Sequence, residues 1–356
     1  MNKFLEEIQE QPQTLNDTLE YYISGRGHSE LANVKSDWLS GRYDKIIVTG
    51  MGSSYFVAHA LASILCNHHI PAFSINAGEL LHFQHPVLNS GTLLICISQS
   101  GESYEVVKLV STISSDITIV TISNEEDSFL ARHSAYTLLS KAGKEDMTST
   151  KTFICTYLVS YLLCNTIAQI AINYSVLYKL ADRAEETLLS MICANEPSNY
   201  FIEKSLDIFQ NTSFVQLIAR GTDFTTVSQS ALMFMEATKT PASAMLGGEF
   251  RHGPLEMVGD NFTAIVIGNL ASGTYSQMER LVMDILAYRG KVIFITDCSV
   301  NIQHPNLLSL HIPNEESDLF VIPSIIPIQL LVNAFAEKKH IIPGNFLHGS
   351  KVTAKE

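Results

Sequence analysis

Residues 45–54 read KIIVTGMGSS. The apolar run 45–50 predicts a buried strand ending in glycine, and a helix-like stretch follows from about Ser54 to His69. Gly50 and Gly52 let the backbone turn tightly and approach a ligand closely. The helix start offers free N–H groups and a partial positive charge, which suits a phosphate, and Ser53 and Ser54 add hydroxyl donors. The same residues also fit an ordinary strand-to-helix turn with serine caps.

A second stretch of the same kind lies downstream. Residues 92–98 (TLLICIS) read as a strand, followed by the turn SQSGES at 98–103 and a helix from about Ser103 to Ser114. Strands at 117–123 and 136–140 complete a β-α-β-α-β order, which implies a parallel sheet with right-handed crossovers. Two turns at the carboxyl ends of strands in one sheet share an edge, where open α/β sheets bind ligands. Ser53, Ser54, Ser98, Gln99, Ser100 and Ser103 can therefore converge on one phosphate. Neither turn contains lysine or arginine, so its donors are neutral and suit a sugar monophosphate better than a nucleoside triphosphate. The sequence contains neither a G-x-x-x-x-G-K-[ST] nor a G-x-G-x-x-G motif, which removes the NTP and dinucleotide readings.

The pattern restarts in the second half. Strands are expected at 214–220, 262–268, 291–297 and 308–312, and helices near 225–239, 276–289 and 322–338. The fold class is therefore α/β, with two tandem parallel-sheet subdomains flanked by helices. The repetition is one of element order, without a close sequence repeat. The expected domains are an N-terminal helical segment 1–40, a first subdomain 41–195, a second 196–340, and a tail 341–356 contributing to the active site. Between the halves, the run Phe153 to Ile172 is long enough to span a bilayer. Asn165 and Gln169 interrupt it and no basic cluster flanks it, so a buried helix is expected. Tyr178 to Lys204, with Pro197, reads as a helix plus connector.

The chain has 356 residues, 46% of them hydrophobic, and a net charge of -13. That acidity argues against nucleic acid and anionic membranes as partners. It leaves a phosphorylated small molecule open, because a phosphate site is a local arrangement of donors. Cys66, Cys96, Cys155, Cys164, Cys193 and Cys298 form no C-x-x-C pair and read as reduced, buried thiols. The polar, acidic N-terminus shows no signal peptide, so a cytoplasmic protein is expected. His68, His69, His82 and His85 lack metal-site spacing. No metal and no organic cofactor is expected.

Glu236 sits among Met233, Phe234 and Met235 on an expected helix. Apolar surroundings would raise its pKa, as a proton-shuttling carboxylate requires. His252 lies in GGEFRHGP (247–254), a loop that glycine and proline would shape. Each also has a plain structural reading: a solvated helix face for Glu236, and a hydrogen-bonded loop histidine for His252. Ser149, opening the long apolar helix, can equally be an N-cap.

Taken together, GMGSSY (50–55), SQSGES (98–103), STK (149–151), ARG (219–221) and GEFRHGP (248–254) resemble the sugar-isomerase (SIS) domain family over nearly the whole chain. The likeness is strongest to the isomerase portion of glucosamine-6-phosphate synthase. The resemblance implies two flavodoxin-like three-layer SIS subdomains and a homodimer with shared active sites. It implies that the serine turns, with Gly52, hold the sugar phosphate and that Met147 and Ser149 line the sugar pocket. It assigns Glu236 as the base moving a proton between C1 and C2, and His252, supplied across the dimer interface, as the group opening the ring. Lys351, in SKVT, lines up with a tail lysine that contacts the open-chain carbonyl.

This sequence departs from the family pattern in several places. Met233 replaces a lysine three residues before the glutamate. Pro241 and Ser243 stand where a histidine and a glutamate are usual, and His348-Gly349 alter the spacing of the tail. Residue 2 is not a cysteine nucleophile and no glutaminase domain is expected, so glutamine is not the expected ammonia source unless a partner supplies it. The expected activity is interconversion of glucosamine 6-phosphate with fructose 6-phosphate and ammonia. The alternatives are a fructosamine-6-phosphate deglycase, which GEFRHGPLE also resembles, and a non-catalytic phosphosugar-binding regulatory module.

Overall fold

The computed structural model describes residues 2–192, 199–210 and 212–353. Cys193, Pro197 and the expected boundary at 195/196 lie outside the described residues. Two compact units are present: Pro12–Tyr178 with Phe346–Glu356, here the first unit, and Met1–Gln11 with Lys179–Asn345, the second. The chain opens with helices α1 (Lys3–Gln9), α2 (Gln11–Ile23) and α3 (Arg26–Trp38).

The first unit continues with β1 (Lys45–Gly50), α4 (Ser53–Asn67), β2 (Ala72–Asn76), the single turn α5 (Ala77–Glu79), β3 (Thr92–Ile97), α6 (Tyr104–Thr112), β4 (Thr118–Ser123), α7 (Phe129–His133), β5 (Tyr136–Leu139) and α8 (Lys151–Ile167). Its five strands are all parallel, in the order β2-β1-β3-β4-β5. The interior strands β1, β3 and β4 are almost wholly buried, which is why they read as predominantly apolar runs. Tyr22 on α2 donates to the Leu139 carbonyl at 3.0 Å, and Thr18 to the Ser140 carbonyl at 2.7 Å. These bonds fasten the helix to the end of β5.

After α9 (Tyr174–Ile192) and α10 (Asn199–Ile208), the second unit forms β6 (Val215–Ala219), α11 (Asp223–Thr238), β7 (Ala242–Leu246), α12 (Gly247–Arg251), β8 (Thr263–Gly268), α13 (Tyr275–Ala287), β9 (Lys291–Thr296), β10 (Leu307–His311) and α14 (Val321–Lys338). The order is β10-β9-β8-β6-β7, again all parallel. Read from the other edge, this is the order of the first sheet. Each sheet therefore has the doubly wound 2-1-3-4-5 topology, with its switch point between the first and third strands.

Two strands escape the sequence reading, β2 (AFSIN) and β7 (ASAML). Both are edge strands of mixed exposure, and Phe73 in β2 is 55% exposed. Neither carries the continuous apolar signal of an interior strand.

The apolar run at 153–172 also needs correction. Helix α8 ends at Ile167, because Gln169 takes φ 59° and the Ile170 N–H turns back to the Asn165 carbonyl at 2.8 Å. Its 17 residues span about 25 Å, short of the roughly 30 Å hydrocarbon core. Every α8 residue except Thr166 is buried, the mark of a core helix. The stretch Ser317–Lys338 is long and apolar enough to cross a membrane by length and composition, and 94% of its apolar window is buried in the fold.

Candidate functional site

In the first unit, β1 and β3 pair in parallel with Thr49 opposite Cys96. Gly50 therefore abuts Ile97, and the turns after the two strands leave the sheet side by side at its switch point. Gly52 takes φ 50° immediately before α4, whose first residues are Ser53 and Ser54. In the neighbouring turn, Gly101 has φ 65°, and a Cβ there would collide with the Ser128 side chain.

Hydrogen bonds fix the second turn from within. Ser98, 2% exposed, accepts the Gly101 N–H at 3.2 Å and lies 3.1 Å from the Ser103 hydroxyl. Ser100 accepts the Glu102 N–H at 3.2 Å. The Gln99 carbonyl is held by the Asn124 N–H at 3.0 Å and the Ser123 hydroxyl at 3.2 Å. Ser103 precedes α6 without capping it through its side chain. The result is a rigid edge with hydroxyls on two adjacent turns and two helix starts behind them, an arrangement that can receive a phosphate.

The tail and the loop before α8 meet in this same unit. The Lys351 Nζ lies 2.8 Å from Glu145 Oε2 and donates to the Met147 carbonyl at 2.8 Å. Met147 and Ser149 are both half-buried in this loop. Glu145, a residue the sequence reading passes over, is wholly buried through its side chain. Its one legible signal is an acidic residue just ahead of a helix start.

The second unit carries the other two expected residues. Glu236 is half-buried near the end of α11, where Met233 and Phe234 are fully buried and Met235 is 43% exposed. Its surroundings are thus a boundary between core and surface, less uniformly apolar than the sequence reading supposes. Lys239 closes the helix in the left-handed conformation, its amine on the Glu236 carbonyl and 2.6 Å from the Asn345 carbonyl. Lys339 donates to the Thr238 carbonyl at 2.9 Å and to the Thr240 hydroxyl at 2.8 Å. Two amines thus complete the carbonyl end of the helix that carries Glu236.

His252 is exposed and terminates α12, its N–H on the Glu249 carbonyl at 3.0 Å. Gly253 follows with φ 127°. Arg251 pairs with Asp284 at 2.6 Å, and the Arg220 guanidinium lies against Gly247 and Gly248, where a Cβ would stand 3.2 Å from it. The ARG motif therefore underlies the loop that presents His252.

At the second sheet's own switch point, Asp223 is buried at the start of α11. Burial, with Asp297 and Asp318 nearby, holds its carboxyl well above the usual range. Among the described residues no group of three or more His, Cys, Asp or Glu side chains is placed to hold a metal ion. Burial pushes the Cys96 thiol up to about 12 and Cys155 up to about 11, so neither is a nucleophile near neutral pH. Cys66 corrects the expectation of uniformly buried thiols: it is exposed at the end of α4, and Cys298 is half-buried.

The family model for the SIS domain matches residues 42–165 and 208–336. Glutamine–fructose-6-phosphate aminotransferase (isomerizing) of Pyrococcus horikoshii is 28% identical over 340 residues, 94% of this chain and 54% of that protein. The enzyme of the same name from Thermotoga maritima is 26% identical, over 95% of this chain and 56% of that protein. The chain thus spans about half the length of these curated relatives. Among solved structures, the C-terminal domain of glucosamine-fructose-6-phosphate aminotransferase from Francisella tularensis superposes with a TM-score of 0.82 at 22% identity, covering 97% of this chain and 98% of that one. Glucosamine-6-phosphate deaminase from Thermotoga maritima superposes with a TM-score of 0.76 at 22% identity, covering 98% and 99%. Both α/β units are matched by the family model, and the chain belongs to the SIS domain family.

Proposed function

We propose that this chain is a phosphosugar isomerase/deaminase that converts glucosamine 6-phosphate and water into fructose 6-phosphate and ammonia. The observation that carries the reading is the side-by-side placement of two hydroxyl-bearing turns at the β1/β3 switch point. Ser53, Ser54, Ser98, Gln99, Ser100 and Ser103 take the phosphate, with the Gly52 backbone alongside. Met147 and Ser149 line the sugar chain. His252, from a second copy in a homodimer, opens the ring. Glu236 takes the proton from C2 and returns it to C1. The imine left at C2 adds one water and releases ammonia. Lys351 polarises the open-chain carbonyl or joins it as a Schiff base. A relative named for fructose-6-phosphate amination and a fold neighbour named glucosamine-6-phosphate deaminase support this substrate class.

Incubation of the purified protein with glucosamine 6-phosphate tests the proposal. Equimolar ammonia and fructose 6-phosphate are expected, and the absence of both overturns it. Glu236→Gln should lower kcat by at least about 100-fold.

One observation favours a second reading. Met233 is fully buried where the synthase pattern has lysine, so this chain carries no cation at that position. A fructosamine-6-phosphate deglycase uses the same glutamate–histidine pair without that lysine. Release of an amino acid from a fructosamine 6-phosphate, with no ammonia from glucosamine 6-phosphate, would select it. Binding of every candidate without turnover would leave a phosphosugar-sensing module.

A further inference from the structure

The Glu145 side chain is wholly buried, yet five donors converge on it. Its Oε1 accepts the Thr150 N–H at 2.9 Å, the Thr150 hydroxyl at 3.1 Å and the Thr152 N–H at 3.2 Å. Its Oε2 accepts the Thr152 hydroxyl at 2.5 Å and the Lys351 amine at 2.8 Å. One oxygen thus satisfies the start of α8, which would otherwise expose free N–H groups. The other oxygen receives a lysine 206 residues away.

These contacts impose an order on the protons. An ionised carboxylate only accepts hydrogen bonds, so the Thr152 hydroxyl spends its proton on Glu145. Ser149 Oγ lies 2.7 Å from Thr152 Oγ1. With the threonine proton committed, that bond runs from Ser149 to Thr152. The serine oxygen therefore meets any further partner as an acceptor. The tail is held at a second point as well, where the Tyr104 N–H donates to the Thr353 carbonyl at 3.1 Å. Tyr104 is the first residue of α6, directly after Ser103. The short segment 351–353 is thus pinned beside both the SQSGES turn and the loop that carries Ser149.

We infer that Glu145 is a positioning residue with two outputs. It holds the Lys351 ammonium on the Met147 carbonyl and so latches the tail onto the first unit. Through Thr152 it also sets Ser149 as an acceptor, which selects a ligand presenting a hydroxyl or amine N–H at that point. The second output rests on the sugar-phosphate reading above; the latch does not.

The test uses the full chain. Without ligand, Glu145→Gln places an amide NH2 against the lysine or the threonine, and amide hydrogen exchange at 346–353 should quicken at least about tenfold. With glucosamine 6-phosphate, kcat should fall at least about tenfold, and Glu145→Asp should recover part of the loss. Thr152→Val leaves the Lys351 contact in place and should raise KM by more than it lowers kcat. Unchanged tail exchange together with unchanged kcat in Glu145→Gln overturns the positioning role. Equal KM in Thr152→Val overturns the relay to Ser149. Should Glu145→Gln not fold, Lys351→Met decides the latch: faster tail exchange supports it and unchanged exchange overturns it. If the wild type turns over no sugar phosphate, the functional reading fails while the exchange measurement still decides the latch.

Discussion

Gly50 stands so close to Ile97 that a Cβ on it would lie 2.8 Å from the Ile97 carbonyl oxygen and 2.9 Å from the Ser54 Cβ. The contact joins the end of β1 to the end of β3, and the proposed phosphate cradle depends on that closeness. Gly50→Ala must push the two strand ends apart or shift α4. The expected cost is about 1–3 kcal/mol, the usual range for overpacking a tight site. Denaturant midpoints measure the stability loss. Calorimetry with glucosamine 6-phosphate should show weaker binding, and intact binding would mean that the two turns do not act together.

Ser98 organises the second turn through the Gly101 N–H and the Ser103 hydroxyl. Ser98→Ala removes one of two acceptors of the Gly101 N–H, the Ser98 carbonyl remaining at 3.2 Å, at a cost of about 0.5–1.5 kcal/mol. The affinity for glucosamine 6-phosphate should fall roughly tenfold, because the loop loses the geometry that aims Ser100 and Ser103. Denaturant midpoints check the stability cost, and titration calorimetry on wild type and variant checks the affinity.

Asp223 makes stability depend on pH. Its carboxyl titrates above the ordinary 3.8 because it is buried, with Asp297 and Asp318 close by and only the Asn269 hydrogen bond pulling the other way. The folded state therefore binds more protons than the unfolded state once the pH exceeds that ordinary value. Stability contributed by this group falls as pH rises through the window. Asp223→Asn removes the burden, so its Tm gain over wild type should be larger at pH 8 than at pH 5. A gain that is flat across that range would count against the assignment.

Lys339 donates to the last turn of α11 and to Thr240. Lys339→Met should cost about 1 kcal/mol by leaving the Thr238 carbonyl without this donor. Since α11 carries Glu236, kcat should fall with it, whereas the phosphate affinity of the first unit should not. Comparing Tm, kcat and phosphate-analogue binding in one variant separates these effects.

Much of the fold is legible in the amino-acid order because interior parallel strands are covered on both faces. Residues 45–50, 92–97, 118–123, 263–268 and 291–296 are therefore rich in Ile, Val and Leu. The glycine and serine turns that follow β1 and β3 are legible for a similar local reason: a strand that ends and a helix that begins leave few choices of residue. The edge strands β2 and β7 are silent, since half-exposed strands tolerate mixed composition.

What the order of residues cannot carry is which distant groups meet. The placing of β1 between β2 and β3 is a choice of sheet topology. The contact of Lys351 with Glu145 is a closure over 206 residues, and nothing near either residue announces the other. Met233 facing the core and His252 facing solvent are likewise set by which side of an element the packing covers. Local propensity acts over a few residues, while burial and hydrogen-bond satisfaction act through space, so the turns belong to the sequence and the site they assemble belongs to the fold.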